Sequence, residues 1–426
     1  MKSIWPPQDQ VFWYLQRNGV TPCRQDMEVD VAVIGGGMAG LSAAQAFAQR
    51  GKKVAVFEQY YCGSGASGKS SGFISPDAEL SLTDFADRHG LPIAHEIWRL
   101  FTGGVEIIRN NIEIHKLACD YQLQNTLVLA SSKSDVKSLQ KDHANFQKVG
   151  YKTHLYSKKE LLQHIGSAGY FGGIEYEDTF GINAYLYCQE MKKVLQDQKV
   201  RIFEETPVTQ VHKHTITTLH ATIKADYIII CTDRFIPDLG FLTKEIYHAQ
   251  TFLLISQELT KEQIRTIFPH KNLMAWDTDL IYNYFRIVGN NRLMLGGASL
   301  LLTYASNESH NNLYIQKKLT RYFQKKFPRL TIQFEHIWPG LIGLSKDIAP
   351  IAGRDKDISY HYYIGAVAGL PIAAALGNYC AQNILEGRTD LDPYFSPYRS
   401  FTIGKGLQTV LGTKASFAIS NLVSKL

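Results

Sequence analysis

Between Val29 and Glu58 the chain reads strand, glycine turn, helix, strand, and few folds accept that order. Val29 to Ile34 is a β-branched apolar run of the kind buried on both faces of a parallel sheet. Gly35-Gly36-Gly37-Met38-Ala39-Gly40 follows at once, a GxGxxG pattern. Ala39 to Arg50 is alanine-rich and helical, and Gly51 closes it. Lys53 to Glu58 is a second strand. In such a βαβ unit Gly35 permits the tight turn, Gly37 lets the backbone approach a pyrophosphate, and Gly40 lets helix and strand pack closely. The helix start then offers free amides and its dipole to phosphate charge. Glu58, ending the second strand, is placed to accept hydrogen bonds from ribose hydroxyls and to repel a 2′-phosphate.

The next segment, Gly63 to Gly72, reads GSGASGKSSG. Its small residues let the backbone come close to a long ligand. Ser67 and Ser71 can donate to phosphate or ribityl oxygens, and Lys69 can balance negative charge. With these motifs, and with Cys231-Thr232, Tyr284-Phe285-Arg286, Arg292 to Gly297 and Trp338 to Gly343 following in order, the chain resembles the D-amino-acid-oxidase-like superfamily of FAD-dependent oxidoreductases. It looks closest to the gamma-glutamylputrescine oxidase-like and glycine oxidase-like members.

The resemblance implies non-covalent FAD, since no cysteine occupies 340–349 where related enzymes attach theirs. The implied cofactor residues are Gly35, Gly37, Met38, Ala39, Gly40, Glu58, Gln59, Ser67, Lys69, Ser70, Ser71 and Thr232, with the Val208 backbone on adenine. Gly340 to Gly343 match the loop beside the flavin ring. Gly369, Leu370, Pro371 and Ile372 match the start of a helix aimed at the flavin pyrimidine end. The loop before it, Gly-Ala-Val-Ala-Gly-Leu-Pro, lacks the family's Gly-His-Gly character.

The implied reaction is hydride transfer from the carbon beside an amine nitrogen, giving an imine that hydrolyses. Tyr282, Tyr284 and Arg286 alternate on a predicted strand over 280–288, so they share a face, which in relatives looks onto the flavin. The tyrosines would wall an amine. Arg286 reads either as a clamp for a substrate carboxylate or as half of a structural ion pair, and Arg354 as a clamp or a loop anchor. Residues 365–378 carry no charged side chain, which argues against sarcosine-type carboxylate recognition. Met294 stands about where sarcosine oxidases carry the lysine that promotes reaction with oxygen, so oxygen or another electron acceptor stays open.

At 426 residues the chain is long enough for two or three structural units. Its 45% hydrophobic and 20% charged residues exclude extended disorder. The net charge of +6 is spread along the sequence and does not mark a nucleic-acid partner. None of the six cysteines forms a CxxC pair and no HExxH occurs, so no metal site is expected. Sparse cysteines, no signal peptide around Trp5-Pro6-Pro7 and no run of eighteen apolar residues give a cytoplasmic expectation. The amphipathic stretch from Val410 to Leu426, with Lys414 and Lys425, reads as a packed terminal helix or as a membrane-surface contact.

Hydrophobic periodicity predicts helices over 84–117, 183–196, 317–327 and 371–385, with polar surface helices over 135–149 and 159–165. Strands are predicted over 126–130, 200–204, 208–213, 215–224, 227–232, 251–257, 280–288, 292–298 and 362–365. The fold class is α/β: a discontinuous Rossmann-like FAD-binding domain with an inserted α+β substrate domain on an antiparallel sheet. The expected boundaries are 27–90, 180–245 and 336–395 for the first domain, and 91–179 and 246–335 for the second. Residues 1–26 form an N-terminal arm anchored by Trp5, Phe12, Trp13 and Tyr14, and 396–426 a helical tail. The expected substrate is a small amine or amino acid. A flavoenzyme acting on a carboxymethylaminomethyl uridine of tRNA, and a non-catalytic flavin-binding module, are the alternatives.

Overall fold

Strand β1 (Met27–Ile34), helix α1 (Met38–Gln49) and strand β2 (Val54–Phe57) form the expected βαβ unit in the computed structural model. The structure describes residues 11–14, 21–77, 79–297, 304 and 312–424. Strand β1 pairs in parallel with β2 on one side and with Thr222–Ile230 on the other. Arg201–Phe203 extends the sheet beyond β2, and His361–Gly365 extends it beyond Thr222–Ile230, again in parallel. Five parallel strands from three separated stretches of chain thus make one sheet, and strands 208–212, 215–218 and 351–354 add antiparallel edges. This is the discontinuous dinucleotide-binding domain expected from the sequence.

The helical layer over this sheet departs from expectation. The single helix predicted over 84–117 is two, α2 (Leu82–His89) and α3 (Leu91–His115), parted at Gly90 with φ +83°. A Ser81–Asp84 capping box starts α2. Helix α4 (Lys133–Lys148) comes later and packs on α2.

The second sheet has eight strands and is antiparallel except where β3 (Met274–Asp277) lies parallel to Thr126–Leu129. Its centre holds β4 (Tyr284–Val288), between β3 and Arg292–Gly297. Strands 153–157, 172–176 and β3 were not expected: each is only four or five residues long, and the ladders that join them to the sheet run through distant Thr126–Leu129. Helix Asn312–Lys326 covers this sheet, burying Ile315, Leu319 and Phe323 against Phe285 and Leu295.

Helix α5 (Leu370–Glu386) runs back across α1, and Gly377 makes the crossing possible: a Cβ there would lie 2.6 Å from Ala39 O. Helix α3 packs on α5, with Gly104 facing the Pro371 carbonyl so closely that a Cβ would sit 1.9 Å away. The boundary expected at residue 91 therefore cuts through one packed helical layer.

The strands predicted over 215–224 and 280–288 need correction. The run over 215–224 turns at Leu219-His220, and its second half joins the next predicted strand as Thr222–Ile230. The strand predicted over 280–288 begins only at Tyr284, so Tyr282 precedes it. Ala298, predicted to end a strand, and Trp5, predicted to anchor the arm, lie outside the described residues. Of the tail, Lys405–Leu411 and Thr413–Ser424 are helices, and Lys425 is not described. Phe417 is buried, and Asn421 donates to the carbonyls of Ser345 and Lys346. The other face exposes Leu407, Val410 and Leu422. Among the described residues no helix is long and apolar enough to cross a membrane.

Candidate active site

The glycine loop has the conformation that its spacing requires. Gly35 has φ +105°, and a Cβ on it would meet Cys231 O at 2.6 Å. A Cβ on Gly40 would lie 1.9 Å from Gly35 O, which locks helix against strand. Gly37 is the N-cap of α1 and offers no capping side chain, so the first turn faces its ligand site unblocked. Ser67 reaches this turn, its Oγ accepting from Met38 N–H at 3.0 Å. Glu58 is buried at the end of β2 and accepts from the amides of Gly36 (2.7 Å) and Tyr60 (2.9 Å). Burial raises its carboxyl pKa above the ordinary range, while those amides draw it back down.

The segment 63–72 is pinned. Trp13 Nε1 donates to Gly68 O (2.7 Å), Trp338 Nε1 to Lys69 O (3.1 Å), and Tyr14 to Ser64 O (2.9 Å). Gly37, Met38, Ala39, Ser67, Lys69, Ser70 and Ser71 from these two loops line a cavity of about 700 Å³ between the two sheets. Gly340, Gly369, Leu370, Tyr282 and Tyr284 line it as well. Gly369 is the N-cap of α5 with φ +137°, and Pro371 lies in the first turn.

Of the remaining expected cofactor residues, Gly35, Gly40 and Glu58 support the loop from behind. Gly343 donates from its amide to Asp233 at 2.7 Å. Ile372 is buried in the core, Pro371 backs onto Gly104, and Gln59 and Val208 are half-buried away from the cavity. Thr232 Oγ1 and Asp233 Oδ1 are buried without a hydrogen-bond partner, between the glycine loop and Gly340 to Gly343. A ligand bearing hydroxyl groups would satisfy both, and the glycine cradle would accept its pyrophosphate.

The family described as FAD dependent oxidoreductase matches residues 30–383. The chain belongs to this family. It is 28% identical over 383 residues to the probable oxidoreductase OrdL of Haemophilus influenzae, covering 85% of this chain and 84% of that one. It is 24% identical over 344 residues to the gamma-glutamylputrescine oxidoreductase of Escherichia coli, covering 79% of each. Among solved structures, L-proline dehydrogenase from P. horikoshii superposes with a TM-score of 0.75 at 17% identity, covering 88% of this chain and 98% of that one. Glycine oxidase from Geobacillus kaustophilus does so at 0.74 and 17%, covering 88% and 99%. The protein is therefore an FAD-dependent enzyme, and the cavity lined by the loops above could hold its flavin.

The aromatic wall of this flavoenzyme is larger than the sequence suggested. Tyr284 starts β4 opposite Gly296, where a Cβ would collide with its ring at 2.0 Å, so this glycine makes room for the tyrosine. Phe73 packs edge-on to Tyr284 (6.0 Å between centroids) and stacks with Trp276 (5.9 Å). Tyr282 lies in the turn before β4, 5.7 Å from the Tyr284 ring, and donates to Glu79 at 2.6 Å.

Arg286 does neither thing expected of it. It is fully buried and does not line the cavity. Its guanidinium donates to the carbonyls of Ser71 (2.8 Å) and Ile182 (2.6 Å) and to Gln124 (3.3 Å). Burial lowers its pKa to about 10, so it stays cationic and holds the end of the 63–72 segment against the second sheet. Arg354 also anchors a loop, donating to the Asn383 side chain and carbonyl, both at 2.9 Å.

The sequence reading missed the acidity of the cavity. Asp77, Glu79, Asp84, Asp135, Asp142, Asp233, Asp277 and Asp279 line it. Among the described residues Lys69 is the one cationic side chain that does, and no histidine does. The Asp277-Thr278-Asp279 run and the seven-residue spacing of Asp135 and Asp142 carried this signal, but both read as solvated surface. Burial pushes Asp142 up to about 6 and raises Asp277 above the ordinary carboxylate range.

Proposed function

We propose that the protein oxidises the carbon–nitrogen bond of a small cationic amine, and that amines without a carboxylate are preferred to amino acids. The supporting observation is the charge of the cavity wall: among the described residues eight carboxylates line it against Lys69 alone, with Arg286 committed to backbone carbonyls. The gamma-glutamylputrescine oxidoreductase relative agrees with an amine substrate. When bound, the flavin supplies the two-electron acceptor.

The chain's residues collect and orient the substrate. The carboxylates attract an ammonium and repel a carboxylate. Trp276, Tyr284 and Phe73 enclose its carbon chain and present π faces to its charge. Holding the reacting carbon within about 3–3.5 Å of its acceptor is the main demand. The amine must shed its proton before hydride leaves, so the rate of oxidation rises with pH until the amine is neutral. The product imine takes up water and yields a carbonyl compound with release of ammonia, or of a smaller amine when the substrate nitrogen is secondary. The acidic wall speaks against a polyphosphate ligand such as tRNA.

The test is an anaerobic titration of the yellow holoprotein with amines and matched amino acids. Amines should bleach the flavin, and amino acids of the same length should do so at least about 100-fold less efficiently, the scale of a misplaced buried charge. Amino acids outperforming the amines would refute the reading. Air admitted afterwards separates an oxidase, which recolours at once, from a dehydrogenase that uses another acceptor. We also place the protein in the cytoplasm, a reading supported by six free, buried cysteines.

A further inference from the structure

We infer that the cavity wall formed by α4 and the loop after β3 is a subsite for a second positive charge, so that the substrate is a diamine or polyamine oxidised at one nitrogen and held by another. This rests on the amine reading above. Asp135, Ser138, Leu139 and Asp142 fall at helical spacing i, i+3, i+4 and i+7, and all four line the cavity, so one face of α4 is a cavity wall.

The carboxylates on this wall differ in what they do. Asp135 is structural: it closes the capping box of α4 and accepts from Thr278 Oγ1 at 2.6 Å, which fastens α4 to the loop after β3. Asp277 is likewise engaged, by Asn283 and by Tyr322 at 2.5 Å. Asp142 is 8% exposed; Thr83 and Ser81 hydrogen-bond to its carboxyl, and its Oδ1 alone is left without a partner. Ser75, 3% exposed across the same cavity, has an Oγ equally without a partner. Buried polar atoms left without a partner cost free energy, and two on residues that line one cavity point to a ligand that supplies the missing bonds.

A primary ammonium fits that vacancy in bonding. It carries three donors and no acceptor, and its charge compensates a desolvated carboxylate. Exposed Asp279 adds negative charge nearby on the same wall. Among the described residues no three His, Cys, Asp or Glu side chains converge as a metal set, a spread that suits an extended organic cation. Leu80, Val128, Leu139 and Tyr176 line the same cavity and offer methylene carbons an apolar path from the acidic wall towards the aromatic one.

The experiment compares 1,4-diaminobutane with n-butylamine on the holoenzyme. Dissociation constants come from calorimetry and from the perturbation of the flavin spectrum, and oxidation is followed separately. The diamine should bind at least about 30-fold more tightly, the scale of one desolvated charge pair. In Asp142→Asn that preference should shrink to about 3-fold or less while the monoamine constant holds, and Asp87→Asn, an exposed surface control, should change neither. Equal affinities in the native protein, or a preference that survives Asp142→Asn, would overturn the inference. Selective diamine binding without bleaching by any amine would sink the oxidation reading and leave the subsite standing. Equal binding and oxidation of both compounds would do the reverse.

Discussion

Asp142 should make the ligand-free protein less stable at neutral pH than it need be. Its carboxyl titrates at about 6 in the folded protein against an ordinary 3.8. Burial is the main cause, partly offset by hydrogen bonds from Thr83 and Ser81. Between those two values the folded state holds the proton more tightly than the unfolded chain, so stability falls as pH rises through this window. The penalty is complete above about pH 6 and absent below about pH 4. A shift of roughly two units corresponds to about 3 kcal/mol. Asp142→Asn keeps the shape and removes the charge, so it should gain about that much at pH 8 and about half of it at pH 5. With about 2.1 cal/mol/K of unfolding entropy per residue, the gain is roughly 3 °C in Tm for a chain of this length. Thermal unfolding of the holoprotein at pH 8 and pH 5, followed by circular dichroism, measures it. A variant less stable than the native protein at pH 8, or one with the same gain at both pH values, would refute the reasoning. Saturating diamine should reverse the order, because it binds the native carboxylate.

Gly40→Ala puts a methyl group against the Gly35 carbonyl, so the variant should purify with less than about one-tenth of the native flavin, read from its visible absorbance. Arg286→Met leaves the buried carbonyls of Ser71 and Ile182 without donors and should cost about 3 kcal/mol or more in urea unfolding. Its KM for amines should stay within about 3-fold of native, because the guanidinium faces away from the cavity; a rise limited to carboxylate-bearing substrates would reinstate it as a clamp. Trp276→Ala removes one aromatic face and should raise KM for a cationic amine by about 3- to 30-fold, the range of a desolvated cation–π contact.

The sequence made legible what is local. The glycine loop, its flanking strands and Glu58 lie within one βαβ unit, and their conformations follow from sterics over a few bonds. Non-local features were harder to read. Strands 172–176 and β3 show no strong alternation and are completed by distant Thr126–Leu129, while 153–157 is a short edge strand on 172–176. Tyr282 was assigned to β4 because the alternating tyrosines run through a turn without interruption. The polar face of α4 reads as solvated in a helical projection, and only α2 and the loop after β3, fastened to it through Thr278, show that it lines a cavity. Arg286 was given two charged partners to choose between, but carbonyl oxygens hold it, and carbonyls leave no trace in residue identity.

The two tryptophan bonds to the serine-rich segment bear on the order of assembly. Trp13 grips Gly68 from the N-terminal side, and Trp338 grips Lys69 from the strand Phe334–Leu344. Strand His361–Gly365, which extends the parallel sheet beside Thr222–Ile230, is later still in the chain. A nascent polypeptide that has just released its glycine loop from the ribosome therefore lacks half of the clasp. The clasp on the serine-rich segment and the strand His361–Gly365 are complete only after some three hundred further residues have emerged, as the separation of Lys69 from His361 implies. Fragments that stop before Trp338 lack its bond to Lys69 and should remain colourless.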